Sequence, residues 1–230
     1  MAGRVHFHGE LDEVEEFTLG TLDCVRSLLD RVIEALQHQD VELAELVMAD
    51  GAVITERCVE IHHRVIALLA LQAPVAGDLR LLAALLHVIR YVERMGNQCV
   101  SVAKLIPLSG HEPPVRREIL RRVLTMGHCA RAEVVQCRRS FADRNVALAE
   151  DLVTRDGEVN RLNREIFRLA IEAGDDEDTR EWAMIMTLVA RAFERVGDNA
   201  VDVGEQTAFL VTGLFREFSD SSGAAAVGGP

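Results

Sequence analysis

Residues 192–205 read Ala192-Phe-Glu-Arg-Val-Gly-Asp-Asn-Ala-Val-Asp-Val-Gly-Glu205. Wound as a helix at about 100° per residue, the stretch gathers Glu194, Asp198, Asp202 and Glu205 within an arc of about 80°. Val196, Ala200 and Val203 lie elsewhere around the axis. Four carboxylates on one stripe repel one another, so a positive partner is expected against them. Hard cations prefer oxygen donors and one helix rarely encloses such an ion, so a second helix should contribute. The plainer alternative, a solvated acidic face, is weakened because the stretch has an earlier copy.

Glu93-Arg-Met-Gly-Asn97 matches Glu194-Arg-Val-Gly-Asp198. Asp78-Leu-Arg80 matches Asp178-Thr-Arg180, and Leu43-Ala-Glu45 matches Leu148-Ala-Glu150. Asp50-Gly-Ala-Val-Ile54 matches Asp156-Gly-Glu-Val-Asn160. The pairs keep their order along the chain, so duplication explains them better than chance. The spacing predicts an all-α fold of two three-helix bundles related by an internal repeat. The first repeat is assigned to residues 1–109, the second to 110–218, and residues 219–230 read as a coreless, disordered tail.

Working outward, the first helix is predicted from Glu10 to His38 on the stripe Leu11, Val14, Thr18, Leu22, Val25, Leu29, Val32 and Leu36. Asp40 is expected to cap the second, whose stripe is Leu43, Val47, Ile54, Cys58, Ile61, Val65 and Leu68, and Pro74 to stop it. The third runs to about Ile106, before the Pro107–Pro114 punctuation. The fourth carries Val115, Ile119, Val123, Met126, Ala130, Val134, Cys137 and Phe141. The fifth spans Asn145 to Ala173, and the sixth continues to Phe218.

Composition fits this frame. Of 230 residues 49% are hydrophobic and only 4% aromatic, as in a helical bundle with a sizeable core. A net charge of −12 argues against nucleic acid and suits cations or basic protein surfaces. The five cysteines form no CxxC pair and read as reduced, buried thiols. With no apolar signal segment and no run long enough to span a bilayer, a soluble cytoplasmic protein is expected.

The chemistry legible in the repeat is metal binding in the second half. Asp156 with Asn160, and Glu194 with Asp198, are polar pairs at i, i+4 spacing on antiparallel neighbours, with Asp202 beside them. The first-half counterpart, Glu93, Asn97 and Asp50, is degenerate. Ser101 and Lys104 stand where the other half has Asp202 and Glu205, and Ile54 stands where it has Asn160. A hydrolase would need a substrate pocket as well, and none is marked out, so a non-enzymatic role is expected.

The paired Glu-Arg-x-Gly-Asp-like motifs, the Leu69–Arg80 turn and the opening Phe7-His-Gly-Glu-Leu11 resemble the PhoU family. The resemblance covers roughly Arg4 to Leu210. It implies two bundles about a pseudo-twofold axis and a metal ion or small cluster of iron, zinc or manganese. It also implies negative regulation of phosphate uptake and phosphate-starvation signalling. The implied partners are the phosphate ABC transporter ATPase, the phosphate-sensing histidine kinase and a second copy in a homodimer. The alternatives are a metal-buffering helical bundle unrelated to phosphate and a metal-free structural adaptor.

Other residues have plainer roles. Asp78, Arg80, Asp178 and Arg180 follow turns, where capping and interhelical ion pairing are expected. Arg94 and Arg195 should neutralise the acidic stripes. Glu60 and His63 make a single E-x-x-H pair, where di-iron bundles use two. His62, His87 and His128 lack zinc spacing. Trp182 is expected in the core or between bundles.

Overall fold

The computed structural model describes residues 2–72, 74–110, 113, 115–174 and 176–218; the tail assigned to 219–230 lies outside them. These residues form α1 (Ala2–His38), α2 (Val41–Gln72), α3 (Ala76–Leu108), α4 (Arg117–Ala142), α5 (Val146–Ile171) and α6 (Glu177–Thr212). The all-α, internally repeated architecture expected from the stripes is what is observed. No helix among the described residues is long and apolar enough to cross a membrane.

Several ends differ from expectation. α1 starts at Ala2 rather than Glu10, because Phe7 and Leu11 extend its buried stripe by a turn. α3 runs past the expected Ile106, through Pro107 to Leu108, and Ser109 then returns its N–H to Ile106 O. Val115 precedes α4 and is exposed, and α5 ends at Ile171. α6 stops at Thr212, not Phe218: Gly213 takes a left-handed φ of 74° and returns its N–H to Phe209 O. That geometry suits a residue without Cβ.

The links α1–α2 and α4–α5 are built alike, and they set the register between halves. Gln39 and Arg144 each have a φ of 53°. The next residue caps the following helix: Asp40 accepts the Leu43 N–H at 2.9 Å and Asn145 accepts the Leu148 N–H at 3.0 Å. Replacing Asn145 with alanine is expected to cost about 1 kcal/mol, read as a lower urea midpoint with an unchanged slope.

Within each half the three helices run up, down, up. Between halves, α1 packs on α4 and α3 on α6, each on its own repeat equivalent. Ion pairs give the direction. Asp30 pairs with Arg131, Asp23 with Arg138 at 2.8 Å and Glu15 with Arg144 at 2.7 Å, so rising positions on α4 meet falling positions on α1. Equivalent helices therefore meet antiparallel, which places the pseudo-twofold axis across them. At that junction Phe193 of α6 is fully buried. A Cβ on Gly127 of α4 would lie 3.1 Å from its ring and 3.0 Å from Ile33 of α1. One continuous core joins both halves, so α5 and α6 rest on α4 as a rigid platform. Trp182 is buried, as expected.

Candidate metal centre

The acidic stripe of α6 faces α5. Asp156, Asn160, Asp198, Asp202 and Glu205 line one open cleft of about 250 Å³ with Val153, Val201 and Phe218. Asn160 Nδ2 donates to Asp156 Oδ2 at 2.6 Å, joining the two expected α5 residues. Phe218 reaches the cleft because the chain turns back at Gly213, and its N–H donates to Glu205 Oε1 at 2.7 Å. The cleft thus has two acidic walls and one aromatic edge.

Glu194 is placed differently from expectation. It is buried and pairs with Arg191, one turn earlier on α6, instead of lining the cleft. The first half repeats this arrangement, with Arg90 on Glu93 at 3.2 Å. The neutralising arginines of these two glutamates are thus Arg90 and Arg191, not Arg94 and Arg195. Arg94 instead acts across the α3–α6 interface. Burial, then Glu205 and Asp198, push the Asp202 carboxyl up to about 6, while Arg94 opposes the rise. Burial also raises Glu205, against the Phe218 hydrogen bond.

A residue absent from the sequence-derived set stands behind the cleft. Glu133 of α4 is 1% exposed, and neither of its carboxylate oxygens has a hydrogen-bond partner among the described residues. Burial first, then Asp156 and Asp198, push its carboxyl up to about 8, against a small pull from Arg155. Glu133 and Asp156 converge on Gly197. A Cβ there would lie 2.5 Å from Glu133 Oε2 and 2.7 Å from Asp156 Oδ1. The glycine of the Glu-Arg-Val-Gly-Asp motif therefore leaves a small cradle between two buried carboxylates. The clue in the sequence was an acid on the apolar stripe of the fourth helix, three residues after Ala130 and four before Cys137.

The first half differs in a way the dipeptide match misjudged. Equating the capping residues Asp40 and Asn145 pairs Asp156 with Gly51, not with Asp50, and pairs Asn160 with Thr55, not with Ile54. The same register pairs Glu133 with Leu28, which is fully buried. Asp50 pairs with Arg31 of α1. Ile54 packs against Gly96, the equivalent of Gly197, within 3.1 Å of where a Cβ would sit. Asn97, Ser101 and Lys104 are exposed. Apolar packing fills this half, and the lysine stays at the surface.

A divalent cation fits the second half by chemistry. The donors are oxygens, an orphaned carboxylate lies within, and the Gly197 cradle is the one a side chain would have filled. Among the described residues no three His, Cys, Asp or Glu side chains already stand at ligand spacing, so binding requires them to draw inward. Elsewhere, Glu60 pairs with Arg64 rather than acting with His63. Asp78 meets His8 of α1 at 3.4 Å, and α6 is capped by Asp176, not Asp178. All five cysteines are free thiols.

The PhoU domain profile matches residues 21–106 and 123–207, once in each half. A phosphate-specific transport system accessory protein PhoU homolog from Clostridium acetobutylicum is 27% identical over 93% of this chain and 98% of its own. One from Aquifex aeolicus is 31% identical over 81% of this chain and 84% of its own. The crystal structure of the phosphate transport system regulatory protein PhoU from Streptococcus pneumoniae superposes with a TM-score of 0.84. It covers 91% of this chain and 99% of that one at 23% identity. With both repeats matched and the six-helix fold shared, this chain belongs to the PhoU family.

Proposed function

We propose that this protein is a non-enzymatic, cytoplasmic adaptor that lowers phosphate import and restrains phosphate-starvation signalling. Its partners in this reading are the ATPase of a phosphate ABC transporter and a phosphate-sensing histidine kinase. Support comes from the family membership and from relatives named as accessory proteins of phosphate-specific transport.

The observation carrying the metal-dependent part is the cleft in which Asp156, Asn160, Asp198 and Asp202 meet from two helices. These residues would hold a cation, iron, zinc or manganese in kind, and Glu194 would support them from its buried pair with Arg191. The cation would neutralise carboxylates that now repel one another and would fix α5 against α6. That rigid second half is the part that docks. No substrate chemistry is asked of it.

Deleting the gene is expected to leave phosphate uptake and starvation genes active in phosphate-rich medium. Unchanged expression and uptake would reject the regulatory reading. Elemental analysis of the purified chain before and after Asp198→Ala separates metal-dependent from metal-free adaptors. Co-purification with transporter and kinase subunits separates regulation from metal buffering.

A further inference from the structure

We propose that Glu133 of α4 is an inner ligand of a hard divalent cation held between α4, α5 and α6, with Asp156 as its bridging neighbour. This rests on the metal-binding reading above and extends it to a third helix. The α5–α6 cleft is open, with Asp198 exposed and Asp202 and Glu205 half-buried, whereas Glu133 is sealed from solvent with both oxygens unsatisfied among the described residues. A buried carboxylate without a donor is costly, and folded proteins seldom keep one without a use.

The geometry gives that use. Glu133 Oε2 and Asp156 Oδ1 lie 2.5 and 2.7 Å from one point, the absent Cβ of Gly197. They are therefore no farther apart than the sum of those two distances. A cation with metal–oxygen bonds of about 2.1–2.4 Å spans two oxygens slightly closer than that limit. Both oxygens thus lie within reach of one cation, and Asp198, on the same turn of α6 as Gly197, can complete the shell from the cleft side.

The surrounding groups narrow the ligand class. Arg155 faces the pair but is engaged with Asp151 at 3.0 Å and makes no ion pair with Glu133. The two donors that meet at Gly197 are carboxylate oxygens, a set that suits manganese or magnesium more than a thiophilic ion. The other half provides an internal control. It has Leu28 and Gly51 at the positions of Glu133 and Asp156, and Ile54 occupies the space beside its glycine.

The test is calorimetric titration of the chelator-stripped full chain with manganese(II) chloride, alongside melting temperatures with and without the metal. Glu133→Gln is expected to weaken manganese binding about tenfold or more while raising the melting temperature of the metal-free protein. Glu133→Leu, the residue found in the other half, should do the same. This opposite movement of affinity and stability is not what loss of a merely structural side chain gives. Wild-type affinity in both variants would overturn the proposal. If Asp198→Asn then still abolished binding, the cleft reading would stand alone. A wild-type chain that binds no manganese would overturn both.

Discussion

Replacing Phe193 with alanine is expected to destabilise the protein by about 3–5 kcal/mol. The ring is fully buried where α6 meets α4 and α1, seated over Gly127 beside Ile33. Truncation leaves a cavity beside Gly127 and Ile33 in a close-packed core, which relaxes inward only in part. Because the ring joins the halves, the variant should unfold at a lower urea concentration as one transition, since one core runs through all six helices. Two separated transitions would show that the halves are energetically independent.

The second large effect is a pH dependence of the metal-free protein, traceable to Glu133. Its carboxyl rises from an ordinary 4.5 to about 8 on folding. Between those values the folded chain keeps a proton that the unfolded chain has released. Stability is therefore complete below about pH 4.5, falls as pH rises, and is fully reduced above about pH 8. The loss is on the order of 5 kcal/mol across that window. Asp202, raised to about 6, adds in the same direction. Urea unfolding in a chelating buffer at pH 5 and pH 8 measures it. Glu133→Gln should remove most of the difference and be the more stable chain at pH 8. A wild-type protein equally stable at both values would contradict the assignment.

The fold was legible because apolar spacing persists over every helix and because the halves repeat. The α6 stripe was legible too: four acids at helical spacing mark one face whatever packs against it. Three parts were hidden. Glu133 lies on the buried face of α4 between Ala130 and Cys137, and only packing against Gly197 turns it from an oddity into a carboxylate facing another. The register of α2 against α5 was obscured by a shared Asp-Gly dipeptide. The capping residues Asp40 and Asn145 fix that register instead, since a cap is tied to a helix end and a dipeptide is not. Likewise, Glu194 carries the expected motif, yet the arginine one turn before it, not the cleft, takes its charge.

The self-matching contacts of α1 with α4 and of α3 with α6 have a consequence for ancestry. Equivalent surfaces meeting antiparallel about a twofold axis are how a symmetric pair of subunits associates. A single three-helix precursor could have assembled with a twin through these same faces, and fusion of two genes then made the pairing permanent. Once both copies lay on one polypeptide, selection could act on them separately. One was free to trade its polar interior for hydrocarbon and serve as scaffold, while its sibling kept the costlier buried acids.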